Sequence, residues 1–475
     1  MKSHKKTAET TVRVVNALKV FGGVQVITII CSVIRTKLAA LWLGPVGVGL
    51  MTIYNSTMEL ISGTTQLSIQ QSGVRDLSQC RDDADKSALM SAVLRCLSLI
   101  LSFIATLAVI AFSPLISLWA FGDTSHAFDF IVLSLWLVLA AVSSTEMAIM
   151  RATDRLKNLA NTTLYTAITS LLLAVPLLYF LRIKAVIPIL LAYYLLNCFY
   201  ALLFRNKSVA EHLKLSLRQI WQQCRGLLKL GFYMTVSSFV TLLASNVFII
   251  YLNRYYSGEV VGIYQAGYTL INNYVGLIFT AIAMEYYPRL SSVANRQHRT
   301  SVIVSHEIKV ALYVLMPLIV SLICFSSLIV KVLYTAKFYD ALPYIIVGAT
   351  GVFFRAASWC MAFTILARGD GKMFVLTETA SMLIFIALYI IFFNNFGFIG
   401  IGVAYVLWYL LYFLIVYGVY RYRYGLKLQA GISALLCLSM AVAALCLLLY
   451  WLIGPWFTLL IMLPPLLFIA YRQLR

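Results

Sequence analysis

Charge is scarce in this sequence. Only 11% of its 475 residues are Asp, Glu, Lys or Arg, where soluble domains carry ~25%. Polar composition is correspondingly thin: 62% of the residues are hydrophobic and the mean hydropathy is +0.90. That excludes an ordinary soluble enzyme, a disordered chain, and a mostly extramembrane protein with one or two anchors. Acidic residues are scarcer still, 17 against 37 Lys and Arg, for a formal net charge of +20. The nine cysteines contain no CxxC pair, and none falls in an expected external loop. The sequence therefore lacks both a disulfide framework and a zinc site, and the cysteines read as small packing residues. Strict apolar–polar alternation is also missing, which excludes a membrane β-barrel.

What is present is a series of apolar runs, each near the ~20 residues a helix needs to cross the hydrocarbon. They lie at 14–43, 47–70, 88–119, 128–150, 160–181, 185–204, 227–252, 261–284, 308–333, 342–366, 374–393, 399–420, 430–453 and 455–471. The fold class expected is thus an all-α polytopic membrane protein of about fourteen spans. An even number places both termini on one side. The opposite side carries only Arg182, Lys184, Arg254, Lys331 and Lys337, and four cations (Arg35, Lys37, Arg95, Arg355) fall inside spans away from their first and last few residues. The other 28 of the 37 lie on the terminal side, which assigns that side to the cytoplasm. Most of the +20 is therefore topology, and no nucleic-acid partner is expected. The N-terminal run is long and lacks a small-residue cleavage site, so it reads as an uncleaved first span.

The expected external loops run roughly 3–10 residues, too short for an external catalytic domain. The longest expected non-spanning stretch is 205–226. There Val209, Leu213, Leu217 and Ile220 share one helical face, and Lys207, Glu211, Lys214, Arg218, Gln222 and Arg225 fill much of the rest. This pattern reads as a basic amphipathic helix on the anionic inner leaflet. Two weakly similar segments suggest an internal repeat. Gly44-Pro45-Val46-Gly47-Val48-Gly49 leads to Ser72-Gly73-Val74-Arg75, and Ser257-Gly258-Glu259-Val260-Val261-Gly262 leads to Tyr287-Pro288-Arg289. The domain organisation expected is a lobe at 1–204, the linker 205–226, a second lobe at 227–422, and an extra hairpin at 430–475.

Polar residues form stripes within the apolar runs. In the second span Asn55, Glu59, Ser62, Gln66 and Gln70 lie within roughly an 80° sector at ~100° per residue. The eighth span carries Thr269, Asn273, Gly276 and Thr280 at matching positions, with Gln265 and Asn272 beside them, and the first carries Gln25, Thr28, Ser32 and Arg35. Such stripes either glue helices together or line water; matching stripes in two repeats point to a shared aqueous cavity. Arg355 lies near the middle of the tenth span, at a cost on the order of 2.5–3.5 kcal/mol unless it is paired or wet. Arg35 sits on the first stripe, Lys37 lies about 200° around from it, and Arg95 is close enough to the inner interface to snorkel. One deep acid, Glu59, faces these cations; Glu146 and Glu378 lie nearer the cytoplasmic ends. A cavity with this excess of cations suits a phosphate or pyrophosphate. Glu59 reads either as a proton or sodium coupling site or as a salt-bridge partner of Arg35.

The short loops, the duplicated six-span unit, the Leu43-Gly44-Pro45-Val46-Gly47-Val48-Gly49 turn and the Tyr286-Tyr287-Pro288-Arg289-Leu290 segment resemble the polysaccharide translocases. These are the Wzx-type flippases of the multidrug/oligosaccharidyl-lipid/polysaccharide (MOP) exporter superfamily, and the resemblance covers about residues 10–422. It implies two pseudo-symmetric six-helix lobes around a central cavity, alternating access, and a bacterial inner-membrane location. It also implies an undecaprenyl-pyrophosphate-linked oligosaccharide as substrate, H⁺ or Na⁺ as coupling ion, no other cofactor, and association with a polysaccharide polymerase and a chain-length regulator. On that reading Arg35 and Arg355, with Lys37 and Arg95, are candidates for the pyrophosphate. Gln25, Asn55, Gln66, Gln70, Gln265, Asn272 and Asn273 are candidates for the lining, and Glu59 for coupling. The hairpin 430–471 departs from a twelve-span core. The rivals are a cation-coupled drug exporter, which calls for acids in the cavity, and a membrane polymerase, which calls for a large external loop.

Overall fold

A computed structural model describes residues 23–66, 77, 84–205, 217–276, 279, 282, 286, 289–291, 293, 294 and 296–474. Among the described residues there is no strand, and ten stretches of helix are long and apolar enough to cross a membrane. The protein is a multi-pass membrane protein. In chain order the helices are α1 (Gly23–Trp42), α2 (Gly44–Thr65), α3 (Ala84–Phe121), α4 (Ala127–Ala152), α5 (Leu156–Leu181), α6 (Val186–Leu203) and α7 (Leu217–Tyr255). They continue with α8 (Gly258–Tyr268), α9 (Gln297–Leu333), α10 (Leu342–Ala367), α11 (Gly371–Gly418), α12 (Ile432–Ile453) and α13 (Pro455–Leu474).

Two of the ten stretches are too long to be single crossings. Leu156–Leu203 has 48 residues and Gly371–Arg423 has 53, about 70 and 80 Å at ~1.5 Å per residue, against a hydrocarbon core of ~30 Å. Each turns back on itself. Between α5 and α6 the chain passes through Arg182 at φ 50° and a 3₁₀ turn over Arg182–Ala185, after which the two helices pack along each other. In α11 the break is Gly397, whose φ of 59° and ψ of −139° suit only a residue without Cβ. Its two arms then meet in antiparallel register. Trp408 Nε1 donates to Ser381 Oγ at 2.9 Å, Tyr412 Oη donates to Glu378 Oε1 at 2.5 Å, and Phe385 packs on Trp408 at 4.8 Å.

The expected spans at 374–393 and 399–420 are these two arms, and most of the other expected spans fall within the observed helices. α9 begins eleven residues before its expected start at 308. α7 runs without interruption from Leu217, so the last part of the expected linker 205–226 is a continuation of the following helix. Val209 and Leu213, on the expected amphipathic face, lie outside the described residues, as do Gln70, Thr280 and Tyr287.

α3 shows how such helices sort their side chains. Phe103, Leu107, Phe112 and Leu115 are exposed, whereas Ser91, Ser102, Ser113 and Ser117 are buried. Lipid tails are as apolar as leucine, so small residues face the neighbouring helices and let them approach, while large apolar ones face out. The described residues divide into two compact units, one running up to Leu242 together with Ile249–Gly258, the other comprising Leu243–Phe248 and Glu259 onward. The division thus falls inside α7.

Candidate functional site

In the first unit, α1, α4, α5 and α6 enclose a cavity of about 260 Å³. The α1 stripe supplies Thr28, Cys31, Ser32 and Arg35, spaced i, i+3, i+4 and i+7 so that all four share one face. α5 supplies Thr163, Thr166, Ala167, Ser170 and Leu171, and α6 supplies Tyr193 and Asn197. The guanidinium of Arg35 lies 5.3 Å from the centroid of the Tyr193 ring, and among the described residues no carboxylate lies within ion-pair distance of it. The hydroxyls of Thr28, Thr163 and Ser170 bond back to carbonyls in their own helices. That of Thr166 is buried with no hydrogen-bond partner among the described residues. The cavity therefore holds an arginine, a free hydroxyl, an amide and, among its described lining residues, no acid. Such a site favours an anion over a cation.

The α5 ladder of Thr163, Thr166 and Ser170 is absent from the sequence-derived candidates. Its spacing, i, i+3 and i+7, is that of the α1 stripe, so the signal was available. It is weak because Thr and Ser satisfy themselves within helices and are common packing residues in membranes.

Arg355 belongs to the second unit, and its surroundings are built by close helix contacts. A Cβ on Gly348 would stand 2.9 Å from Ile271 Cδ1, and one on Gly351 would stand 2.8 Å from Tyr405 Cδ1 and 3.0 Å from Val406 Cα. These two glycines let the end of α8 and α11 press against α10 one and two turns before Arg355. In that region α8 passes into a π-helical turn over Thr269–Tyr274, which changes the rotational register of the residues beyond it. Arg355 Nη1 donates to Asn272 Oδ1 at 3.0 Å, to Tyr405 Oη at 3.3 Å and to the Ile271 carbonyl at 3.5 Å. The rings of Phe279 and Tyr409 lie 5.1 and 5.7 Å from its guanidinium carbon. Asn272 Nδ2 is buried without a partner among the described residues.

The other candidates are placed as follows. Arg95 is held bidentately by Glu146, at 2.6 and 2.9 Å, and Glu146 is buried. Glu59 is exposed and accepts from Asn55 Nδ2 at 2.7 Å, so the salt bridge to Arg35 that the sequence allowed does not form. Gln66 donates to Ser62 Oγ at 2.8 Å; the α2 stripe is thus partly satisfied within its own helix. Gln265 donates to Thr269 Oγ1 at 3.4 Å, while Gln25 and Asn273 are exposed. Gln25 and the half-buried Lys37 are not among the residues lining the first-unit cavity.

Solved structures share this fold at low sequence identity. One, described as the lipid II flippase MurJ in an inward closed conformation, has a TM-score of 0.68 at 16% identity, covering 96% of this chain and 99% of that one. An inward-facing multidrug resistance MATE family transporter of the MOP superfamily has a TM-score of 0.69 at 12% identity, covering 86% and 95%. The MATE multidrug transporter DinF-BH has a TM-score of 0.60 at 16% identity, covering 86% and 97%. No curated protein sequence matches the chain. A model of the family described as polysaccharide biosynthesis protein matches residues 38–343, well over half of its length, and the chain belongs to that family.

Proposed function

We propose that this protein is a flippase that carries an undecaprenyl-pyrophosphate-linked oligosaccharide, the repeat unit of an O-antigen or related surface polysaccharide, from the cytoplasmic to the periplasmic leaflet by alternating access. The observation that carries this reading is Arg35, which faces a hydroxyl-lined cavity with no acid among its described lining residues to neutralise it. An arginine at that depth is costly in lipid and is stabilised by an anion that visits the cavity. Family membership and the lipid II flippase among the structural relatives support a lipid-linked glycan as the source of that anion. Arg35 in the first unit and Arg355 in the second are the candidates for the pyrophosphate, while the lipid tail remains in the bilayer.

The Lys/Arg asymmetry supports an inner-membrane orientation with both termini cytoplasmic. An inside-negative potential then favours outward movement of negative charge by ~2.3 kcal/mol per charge per 100 mV. Glu59, beside Asn55 on α2, is the candidate for a coupled H⁺ or Na⁺, and a polysaccharide polymerase and a chain-length regulator are the candidate partners. A drug exporter like the MATE relatives is the alternative; the lack of an acid among the described lining residues speaks against cationic drugs.

The test is complementation of a strain lacking the protein. Arg35→Ala and Arg355→Ala, expressed at normal levels, are each expected to leave lipid-linked glycan in the inner leaflet and to abolish surface polysaccharide. Normal surface polysaccharide from both variants would overturn the reading.

A further inference from the structure

α10 is a largely buried helix, and beyond Arg355 a stripe of its half-buried aromatic residues has no assigned role. Arg355, Trp359 and Phe363 are each half-buried, whereas Phe353, Ala356, Ala357, Ser358, Cys360 and Met361 beside them are buried. The three follow one another at i, i+4 and i+8, which places them along one face for about 12 Å. A half-buried Trp in a membrane protein commonly faces lipid. Here the stripe begins with a guanidinium, and the cost of turning that group to hydrocarbon argues that the face meets a polar ligand or water.

The stripe is also rigidly supported. Trp359 packs against Phe363 at 4.6 Å, Phe279 at 5.4 Å and Tyr286 at 6.1 Å between ring centroids. Tyr286 is fully buried, and its hydroxyl donates to the Cys360 carbonyl at 2.6 Å. At the head of the stripe, Asn272 accepts from Arg355 through Oδ1, while its Nδ2 is a buried donor with no acceptor among the described residues. Aromatic faces carry partial negative charge and attract the weakly positive C–H groups of a flat apolar surface. A pyranose presents such a surface on its ring face and hydroxyl acceptors around its edge.

We infer that Trp359 and Phe363, with the Asn272 amide, form a saccharide subsite in which a pyranose ring stacks on Trp359. This rests on the reading of the substrate as a lipid-linked oligosaccharide and assigns its sugar part to a specific surface.

The test uses the full chain reconstituted in nanodiscs and two probes. The first is the lipid-linked glycan extracted from cells lacking the protein; the second is undecaprenyl pyrophosphate. Trp359→Ala is expected to weaken binding of the glycan-bearing lipid about tenfold and to leave undecaprenyl pyrophosphate within twofold. Trp359→Phe, which keeps a ring face and guards against a folding defect, is expected to retain at least a third of the glycan affinity. Equal weakening of both probes, or of neither, in a folded Trp359→Ala protein would overturn the subsite. If wild-type protein binds neither probe, or Arg35→Ala weakens neither, the flippase reading itself fails, and that outcome is separate from the behaviour of Trp359.

Discussion

Arg35 and Arg355 are the same residue type at membrane depth, one in each compact unit, and their surroundings differ in kind. Arg355 is partly held by its own protein: the two N–H groups of Nη1 are shared among three acceptors, and two rings lie beside the guanidinium. Arg35 has one ring beside it and, in front, a cavity with no acid among its described lining residues. The difference teaches that depth alone does not define a binding residue. An arginine partly held by the fold contributes to stability as well as to any ligand, whereas one whose donors face a cavity can give them all to a ligand.

The largest effect that sharpens this contrast is on binding. Arg35→Ala removes charge-assisted hydrogen bonds of about 1.5–3 kcal/mol, so affinity for undecaprenyl pyrophosphate should fall roughly 10- to 100-fold with little change in thermal unfolding. A large loss of thermal stability in that variant would erase the distinction between the two arginines. Next comes Arg355→Ala. It removes the guanidinium donor to Asn272 Oδ1 and Tyr405 Oη, leaving Asn272 Oδ1 only the longer 3.5 Å bond from Tyr405 Oη, and should cost about 2 kcal/mol of stability, read as a lowered unfolding temperature in detergent. Arg355→Lys keeps the charge but not the planar fork and should fall between Ala and wild type.

Thr166→Val probes the cavity wall. Its buried hydroxyl has no partner among the described residues, so the isosteric change should leave stability unchanged or raise it by up to ~1 kcal/mol. Affinity for undecaprenyl pyrophosphate should fall roughly threefold, within the ~0.5–1.5 kcal/mol of a single hydrogen bond. Unaltered affinity would reduce the α5 ladder to packing.

The smallest effect is a control outside both sites. Asp370 caps α11 by accepting from the Met373 amide and also meets Arg423 and Tyr424. Burial pushes its carboxyl up, but these hydrogen bonds and the Arg423 charge outweigh it, and the group is held below its ordinary value. A depressed carboxylate contributes stability above its unfolded pKa and loses it as pH falls through the folded one. Asp370→Asn should therefore flatten the acid limb of a stability–pH profile below about pH 4, by under ~1 kcal/mol. It should leave undecaprenyl pyrophosphate binding unchanged.

Much of this was legible in the residues. The α1 face of Thr28, Ser32 and Arg35 reads directly from helical spacing, and the turns at Gly44-Pro45 and Asn394-Asn395-Phe396-Gly397 mark real breaks in the helices. The α2 stripe was equally legible, yet Asn55 with Glu59 and Ser62 with Gln66 bond one turn apart within the helix, so its polarity need not announce a cavity. Arg95 reads from the sequence as a cation near the interface and, by resemblance, as a pyrophosphate candidate; its partner Glu146 is 51 residues away, beyond the reach of any pattern along one helix.

The sequence by itself determined that the chain lives in a membrane, where most of its long apolar helices lie, and which face of α1 is polar. Hydrocarbon thickness and helical periodicity act locally, so they leave their record in consecutive residues. The tertiary structure alone decided which polar groups meet: Arg95 with Glu146, Arg355 with Asn272 and Tyr405, and Arg35 opposite the α5 hydroxyls. Those meetings depend on how each helix is rotated against its neighbour; around Arg355 the close glycine contacts on α10 and the π turn after α8 take part in setting it, and no single-helix periodicity encodes them.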